Sequence, residues 1–253
     1  MKTLIILAIA AFISTSIAQN KETIQFKSSD GLELTADVYI TNSDKSTPFI
    51  VLFHQAGWSR GEYLEIAPRL NKMGFNVMAV DQRSGGAING VENESFKLAQ
   101  KDKLATTYAD AYPDIGAAVE WARANYAQGQ LLIWGSSYSS ALVLKYAGDN
   151  PKAIDGVISF SPGEYFASYG KTDHWIVDSA VNIAVPSFIS SAKSERSNWQ
   201  PLYDAIKSDK AFYLPQTSGN HGSRALWSKF DDSEGYWQAL SIFLDEYFPR
   251  VNY

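Results

Sequence analysis

Residues 129–146 read GQLLIWGSSYSSALVLKY and contain the pattern that decides the fold. The apolar run 131–134 is typical of a buried strand, and it stops at the sequence GSSYS over 135–139. The Ala- and Leu-rich segment that follows predicts a helix. A strand, a sharp turn with a serine at its apex and a helix together form a nucleophile elbow. Ser137 occupies that apex, although an ordinary serine-rich loop between a strand and a helix is the simpler alternative.

The composition is that of a globular protein with an acidic net charge. Of 253 residues, 45% are hydrophobic and 19% are charged, and the formal net charge is −5. Because phosphate binding favours a basic surface, this charge argues against nucleic acid as a partner. The chain contains no cysteine. A catalytic thiol, disulfide bonds, lipid attachment at a cysteine and a cysteine-based metal site are therefore excluded.

The first residues have the pattern of a secretory signal peptide. Lys2 supplies the positive charge, residues 4–13 are largely apolar, and residues 16–18 are Ser-Ile-Ala. We therefore expect cleavage near Ala18, a secreted or periplasmic protein and a single domain over 19–253. The apolar run is short for a spanning helix, so a retained membrane anchor is the weaker alternative.

Strand and helix patterns alternate along the rest of the chain. Residues 22–29 and 32–40 alternate apolar and polar side chains around Asp30-Gly31, which predicts a hairpin. Residues 87–103 lack a clear period and predict a surface loop, and residues 164–182 predict a small helix or a partial lid. Strands are predicted at 49–53, 75–80, 131–134, 154–160, 185–190 and 211–214, and helices at 62–73, 112–126, the segment after Ser137, 199–206 and 236–247.

This alternation defines the fold class. Strands that alternate with helices form a mainly parallel sheet with helices on both faces. The leading hairpin adds an antiparallel edge, so we expect one α/β domain. Ligands of such sheets bind at the carboxyl ends of the strands. The loops after the strands are therefore the place to search for a site.

The three histidines differ in their position relative to those loops. A serine hydroxyl becomes a good nucleophile only when a base takes its proton. His54 directly follows a buried strand and is expected to shape its loop, whereas His174 lies in the irregular aromatic segment. His221 lies in a glycine-flanked turn after the last predicted strand. It is therefore the candidate base, with a solvated loop histidine as the alternative.

A carboxylate must hold such a base in its correct tautomer. Glu195 is the first acid after the strand predicted at 185–190. Asp178 precedes that strand and Asp204 lies within the next helix, so both are worse placed. Glu195 is the candidate acid, although a surface ion pair with its neighbour Arg196 is an open alternative.

Acyl transfer also needs donors for the oxyanion that forms in the transition state. The backbone N–H groups of Tyr138 and Ala56 are the candidates, because one follows the serine and the other lies in the loop after the first buried strand. Gln55 is the second choice in that loop, and Gln55 and Trp58 are candidate pocket residues. Asp81 and Arg83 are interpreted as braces between loops rather than as catalytic groups.

With these residues in place, the chain resembles the α/β-hydrolase family, in particular its dienelactone-hydrolase-like and small serine esterase members. The resemblance rests on residues 53–58, 81–86, 135–139 and 219–222, and on the order Ser137, Glu195, His221. It implies the α/β-hydrolase fold and a hydrolase that works through an acyl-enzyme without a cofactor. Two positions differ from the family's usual pattern: Ser139 replaces a glycine, and the acid is a glutamate.

The sequence thus predicts a secreted serine hydrolase that cleaves small-molecule carboxylic esters through Ser137, His221 and Glu195. A peptidase, an amidase or a thioesterase would use the same three residues. A non-catalytic binding protein on a hydrolase scaffold is the alternative from a different class, and a missing member of the three would mark it. Dienelactone hydrolases use a cysteine nucleophile, so their substrate is not carried over to this chain.

Overall fold

A sheet of eight strands runs through the protein. The structure is a computed structural model, and it describes residues 21–250. The spatial order of the strands is β1-β2-β4-β3-β7-β8-β9-β10, and β5 and β6 form a separate two-stranded ribbon. The strands are β1 (Lys21–Lys27), β2 (Glu33–Tyr39), β3 (Phe49–Phe53), β4 (Asn76–Val80), β5 (Ala87–Ile88), β6 (Val91–Glu92), β7 (Leu131–Ser136), β8 (Gly156–Phe160), β9 (Ser187–Ser190) and β10 (Lys210–Tyr213).

Only the N-terminal edge of the large sheet is antiparallel. β1 pairs with β2 and β2 pairs with β4 in antiparallel register, and every pairing from β4 to β10 is parallel. The α/β-hydrolase fold predicted from the sequence is confirmed, including the antiparallel hairpin. The parallel register brings the carboxyl ends of β3, β7, β8, β9 and β10 to one edge of the sheet.

Both faces of the sheet are covered by helices. In β3, Phe49, Val51 and Phe53 join one apolar core, while Ile50 and Leu52 join the other. Burial on both faces explains why this strand reads as an unbroken apolar run. The helices are α1 (Ile66–Lys72), α2 (Glu94–Lys101), α3 (Tyr112–Asn125), α4 (Tyr138–Asp149), α5 (Val177–Ala180), α6 (Arg196–Ala205) and α7 (Ser233–Tyr247).

The helix predicted over 62–73 is wrong at its beginning. The structure divides this segment into a 3-10 turn, Arg60–Tyr63, and helix α1, which begins at Ile66. The Tyr63 hydroxyl donates to the Phe53 carbonyl at 2.7 Å and fastens the turn to the end of β3. The turn is thereby held against the carboxyl end of β3, and the regular helix begins only after it.

The two segments without a clear sequence pattern contain short elements. Residues 87–103, predicted as a surface loop, form the β5–β6 ribbon and helix α2, which Asn93 caps by accepting the Phe96 N–H. The buried residues of α2 are Ser95, which is polar, and Ala99, which is small, so this helix gives no clear apolar pattern in the sequence. In the 164–182 segment, a 3-10 turn at Ala167–Tyr169 is followed by α5.

The predicted signal peptide, residues 1–18, lies outside the described residues. Within residues 21–250, no helix has both the length and the apolar character needed to cross a membrane. Secretion and the single-domain boundary at residue 19 stay predictions.

Candidate active site

Ser137 lies at the apex of the turn between β7 and α4. Its φ is 59° and its ψ is −121°, so a residue with a side chain occupies the left-handed half of the backbone map. Such a conformation costs about 1–3 kcal/mol and persists only where its surroundings impose it. Here the Ser137 N–H donates to the Phe160 carbonyl at 2.8 Å. The turn therefore holds the partly exposed serine above the carboxyl edge of the sheet.

Two small residues allow the strand and the helix of this turn to touch. A Cβ added at Gly135 would overlap the backbone of Ser139, so only glycine fits there. Ser139, which stands where the family usually has glycine, is fully buried and uses its hydroxyl. That hydroxyl donates to the Phe53 carbonyl at 2.7 Å and accepts the Ser136 N–H at 2.9 Å. The serine thus ties the end of β7 to the end of β3.

The structure brings Ser137, His221 and Glu195 together in one hydrogen-bonded chain. The His221 Nε2 lies 2.7 Å from the Ser137 Oγ, and the His221 Nδ1 lies 2.6 Å from the Glu195 Oε1. Ser137 follows β7, Glu195 follows β9 and His221 follows β10, and these three strands end at the same edge of the sheet. The imidazole therefore lies between the hydroxyl and the carboxylate, with one ring nitrogen facing each.

Glu195 is held by three donors rather than by its neighbour in sequence. Besides His221, the Ser161 hydroxyl donates to its Oε2 at 2.7 Å, and the Ala192 N–H at 3.2 Å. Burial raises the pKa of Glu195, but the hydrogen bonds from His221 and Ser161 outweigh burial, and the pKa lies below its usual value. Arg196 donates to Gln200 instead, so the surface ion pair considered from the sequence does not form.

The loop after β3 presents the Ala56 N–H. The Gln55 carbonyl accepts from the His54 Nδ1 at 2.9 Å. In a trans peptide the carbonyl and the next N–H point in opposite directions, so the Ala56 N–H points away from His54. Within residues 21–250, neither this group nor the Tyr138 N–H donates to another protein atom. The Gln55 N–H donates to Glu62 at 2.7 Å and is therefore occupied, so of the two candidate donors in this loop, Gln55 and Ala56, the free one is Ala56.

His54 itself is a buried neutral imidazole. Its Nδ1 donates to the Gln55 carbonyl, and its Nε2 accepts the Gln82 N–H at 3.0 Å and faces the Asn93 amide nitrogen at 3.1 Å. Both nitrogens are used in the neutral tautomer. Complete burial lowers the pKa of His54 to about 4. His54 therefore shapes the loop, as expected from its position after the strand, and it does not contact Ser137.

This burial predicts a pH-dependent loss of stability. The pKa of His54 falls from 6.5 to about 4 on folding, so the stability it contributes is complete above pH 6.5 and is lost as the pH falls towards 4. At pH 5 the loss is about 2 kcal/mol, or several degrees in Tm. At pH 7.5 we expect the Tm of His54→Asn to be lower than that of the wild type. Between pH 7.5 and 5, the Tm of the variant should fall less than the wild-type Tm. Replacing the exposed His174 by Asn should keep most of the wild-type decline, and equal declines in all three proteins would contradict the assignment.

The other residues singled out in the sequence have structural partners. Asp81 pairs with Arg60, and Arg83 pairs with Asp114 and Asp30, so the two residues brace different loops. Trp58 is partly buried and stacks on Trp227 with ring centroids 5.3 Å apart. In residues 21–250, no group of three or more His, Asp and Glu side chains is arranged to hold a metal ion.

Three buried polar residues at the site were missed in the sequence. Ser161 links the acid and the histidine turn, because its hydroxyl donates to Glu195 and accepts the Gly222 N–H at 2.8 Å. Glu62 and Ser136 lie beneath the turn and are hydrogen-bonded to each other at 2.7 Å. The only available signal was the position of Ser136 and Ser161 at the ends of two predicted strands, which did not separate them from ordinary loop serines.

The fold and this arrangement of side chains define an α/β-hydrolase. The sequence profile of the family described as "Serine aminopeptidase, S33" matches residues 44–213. The chain therefore belongs to this family of α/β-hydrolases and is a hydrolase. The matched range includes Ser137 and Glu195 but ends before His221, so the position of the histidine rests on the geometry alone.

Solved structures with the same fold share little sequence with the chain. A dienelactone hydrolase from Anabaena variabilis is 12% identical, with a TM-score of 0.69, and the match covers 90% of this chain and 98% of that one. An esterase from Pyrococcus furiosus is 18% identical (TM-score 0.67; 95% and 97% covered), and a carboxyl esterase from Bacillus coagulans is 13% identical (TM-score 0.65; 90% and 98% covered). A search of curated protein sequences found no significant match.

Proposed function

We propose that this protein is a serine hydrolase that cleaves carboxylic esters of small molecules through an acyl-enzyme. The observation that carries the proposal is the chain from Ser137 Oγ through His221 to Glu195, with contacts of 2.7 and 2.6 Å. Both lie within the range in which a base can take the proton of a nucleophile. The partial exposure of Ser137 leaves its oxygen open to a substrate.

The first half of the reaction forms the acyl-enzyme. His221 Nε2 takes the Ser137 proton while the oxygen attacks the ester carbonyl, and the carbonyl oxygen becomes an oxyanion. The N–H groups of Ala56 and Tyr138 are the proposed donors to that oxyanion, and each such donor is worth about 3–4 kcal/mol. Glu195 stabilises the imidazolium that forms. His221 then gives its proton to the leaving alcohol.

The second half repeats these steps with water. His221 takes a proton from water, the resulting hydroxide attacks the acyl carbon, and the same two N–H groups stabilise the second oxyanion. The proton then returns from His221 to Ser137, and the carboxylic acid leaves. No step requires a cofactor.

Esters are favoured over amides for two reasons. An alcohol is a better leaving group than an amine, because an alkoxide is a much weaker base than an amide anion, and two of the three structural neighbours described above are esterases. The family description names an aminopeptidase, however, and the same three residues can cleave an amide. Aminoacyl amides are therefore the second substrate class to test.

A labelling experiment tests this proposal. We expect a fluorophosphonate probe to modify the wild-type protein and the adduct to map to Ser137 by peptide mass spectrometry. p-Nitrophenyl esters of increasing acyl length should then be hydrolysed faster than aminoacyl p-nitroanilides. An adduct on another serine would overturn the nucleophile, and faster turnover of the anilides would replace the esterase by a peptidase.

We also propose that the protein is exported and that residues 1–18 are removed. The support is the charged, apolar and small-residue pattern of this segment. Expression in a Gram-negative host and N-terminal sequencing of the periplasmic fraction would test export. A mature chain that starts near Gln19 is expected, and an intact Met1 in the cytosolic fraction would contradict it.

A further inference from the structure

Glu62 is a carboxylate buried completely beneath the candidate active site. It belongs to the 3-10 turn after β3, and its side chain has no solvent exposure. Burial of a charged group is costly unless each of its oxygens is hydrogen-bonded. Neither the nucleophile, the base, the acid nor the oxyanion donors proposed above include it. Its contacts show what it does.

One oxygen of Glu62 holds the loop that carries the proposed oxyanion donor. The Oε2 accepts the Gln55 N–H at 2.7 Å. The carbonyl of the same residue, Gln55, is held by His54. The peptide groups on both sides of Gln55 are therefore fixed, and one of them contains the Ala56 N–H. Glu62 holds the peptide group between residues 54 and 55, and His54 holds the peptide group between residues 55 and 56, which contains the Ala56 N–H.

The other oxygen of Glu62 is linked to two more loops of the site, the nucleophile turn and the histidine turn. The Oε1 accepts the hydroxyl of Ser136 at 2.7 Å, and Ser136 directly precedes Ser137. The same hydroxyl oxygen accepts the Ser223 N–H at 2.8 Å, and Ser223 follows His221 by two residues. One carboxylate is therefore linked to the nucleophile turn and, through Ser136, to the histidine turn.

The contacts fit the ionised form of Glu62. Each oxygen accepts a hydrogen bond, and a protonated carboxyl would have to displace the Ser136 hydroxyl as donor. Burial raises the pKa of Glu62, the bonds from Ser136 and Gln55 and the positive charge of Arg224 lower it, and the net result is a pKa of about 7. The hydrogen bonds from Gln55 and Ser136 thus offset part of the burial cost of the charge.

We propose that Glu62, acting directly on Gln55 and through Ser136, is a positioning residue that holds the oxyanion loop, the nucleophile turn and the histidine turn in register. The inference rests on the proposed serine hydrolase function and adds a residue to its machinery. Glu62 does not contact the substrate. Its effect is on the transition state, because that is where the alignment of the three loops matters.

The isosteric variant Glu62→Gln tests this role. A glutamine accepts at one oxygen only. If its NH₂ group faces the Gln55 N–H, that link is lost, and if it faces Ser136, the hydroxyl must turn to accept from it, so one of the two contacts is lost or reversed. We expect kcat for p-nitrophenyl acetate to fall about 10–100-fold and KM to change less than about two-fold, since a displaced donor loses part of its effect. The second-order rate of fluorophosphonate labelling should fall in parallel.

A double-mutant cycle separates positioning from general destabilisation. Ser136→Ala cuts the link to the histidine turn, so its effect on kcat and that of Glu62→Gln should be less than additive when combined. Asp114→Asn is the matched control, because Asp114 is equally buried and paired with Arg83. It should lower Tm and leave kcat within about two-fold of the wild type.

The outcomes distinguish the two proposals. If the wild type is labelled at Ser137 and Glu62→Gln keeps the wild-type kcat, the positioning role is overturned while the serine hydrolase stands. Additive losses in the double variant, or an equal loss of kcat in Asp114→Asn, would overturn it as well. If the wild type is not labelled at all, the proposed function itself fails, whatever Glu62 does.

Discussion

Replacing Ser137 by alanine is expected to lower kcat for p-nitrophenyl acetate by about 10⁵-fold, which leaves only slow hydrolysis by water. The alanine lacks the oxygen that lies 2.7 Å from His221 Nε2, so no acyl-enzyme can form. Binding is expected to persist, because the proposed oxyanion donors are backbone groups that the substitution keeps. Steady-state kinetics on the purified variant, with fluorophosphonate labelling in parallel, measure both effects.

The matched control for Ser137→Ala is Ser194→Ala. Ser194 is an exposed serine in the turn next to Glu195, and none of the hydrogen bonds of the three site residues involves its side chain. We expect full activity and full labelling from this variant. Because alanine keeps the Cβ and with it the left-handed backbone strain, the Tm of Ser137→Ala should stay near the wild-type value. Residual activity above about 1% of the wild type would show that Ser137 is not the nucleophile.

The second large effect is expected from Glu195→Gln. The glutamine oxygen can still accept from His221 Nδ1, but the negative charge that stabilises the imidazolium is gone. An amide nitrogen also replaces the oxygen that accepts the Ser161 hydroxyl. We expect kcat to fall about 10³- to 10⁴-fold with little change in KM. A kcat–KM analysis on one ester is sufficient to measure this split.

The controls for Glu195 are the two other acids considered from the sequence. Asp178 is exposed beside His174, and Asp204 accepts a hydrogen bond from Gln200. Asp178→Asn and Asp204→Asn should keep kcat within about two-fold of the wild type, since surface substitutions away from a site have small effects. A larger loss in either variant than in Glu195→Gln would assign the acid differently.

The sheet could be predicted from the sequence because its parallel strands are buried on both faces. Such strands read as continuous apolar runs, and those at 49–53 and 131–134 are placed correctly along the chain. The positions of Ser137, Glu195 and His221 after strands could be predicted for the same reason. Parallel strands end at one edge, so residues that follow them are brought close together whatever their distance in sequence.

The polar groups beneath the site could not be predicted. Glu62, Ser136 and Ser161 are polar residues in or beside turns, and such residues are exposed in most proteins. Their burial depends on partners from distant parts of the chain: Ser136 is 74 residues from Glu62 and 87 residues from Ser223. Helix α2 was missed for a related reason, since its buried side chains are small.

The distribution of the three residues along the chain has a consequence for synthesis and refolding. Ser137 and His221 are 84 residues apart, and β8, β9 and β10 lie between them in sequence. During synthesis, the segment that contains Ser137 therefore leaves the ribosome well before the histidine turn does. Return of ester hydrolysis during refolding should accordingly lag behind the recovery of helical circular dichroism, because it requires the turn after β10 to dock against the turn after β7.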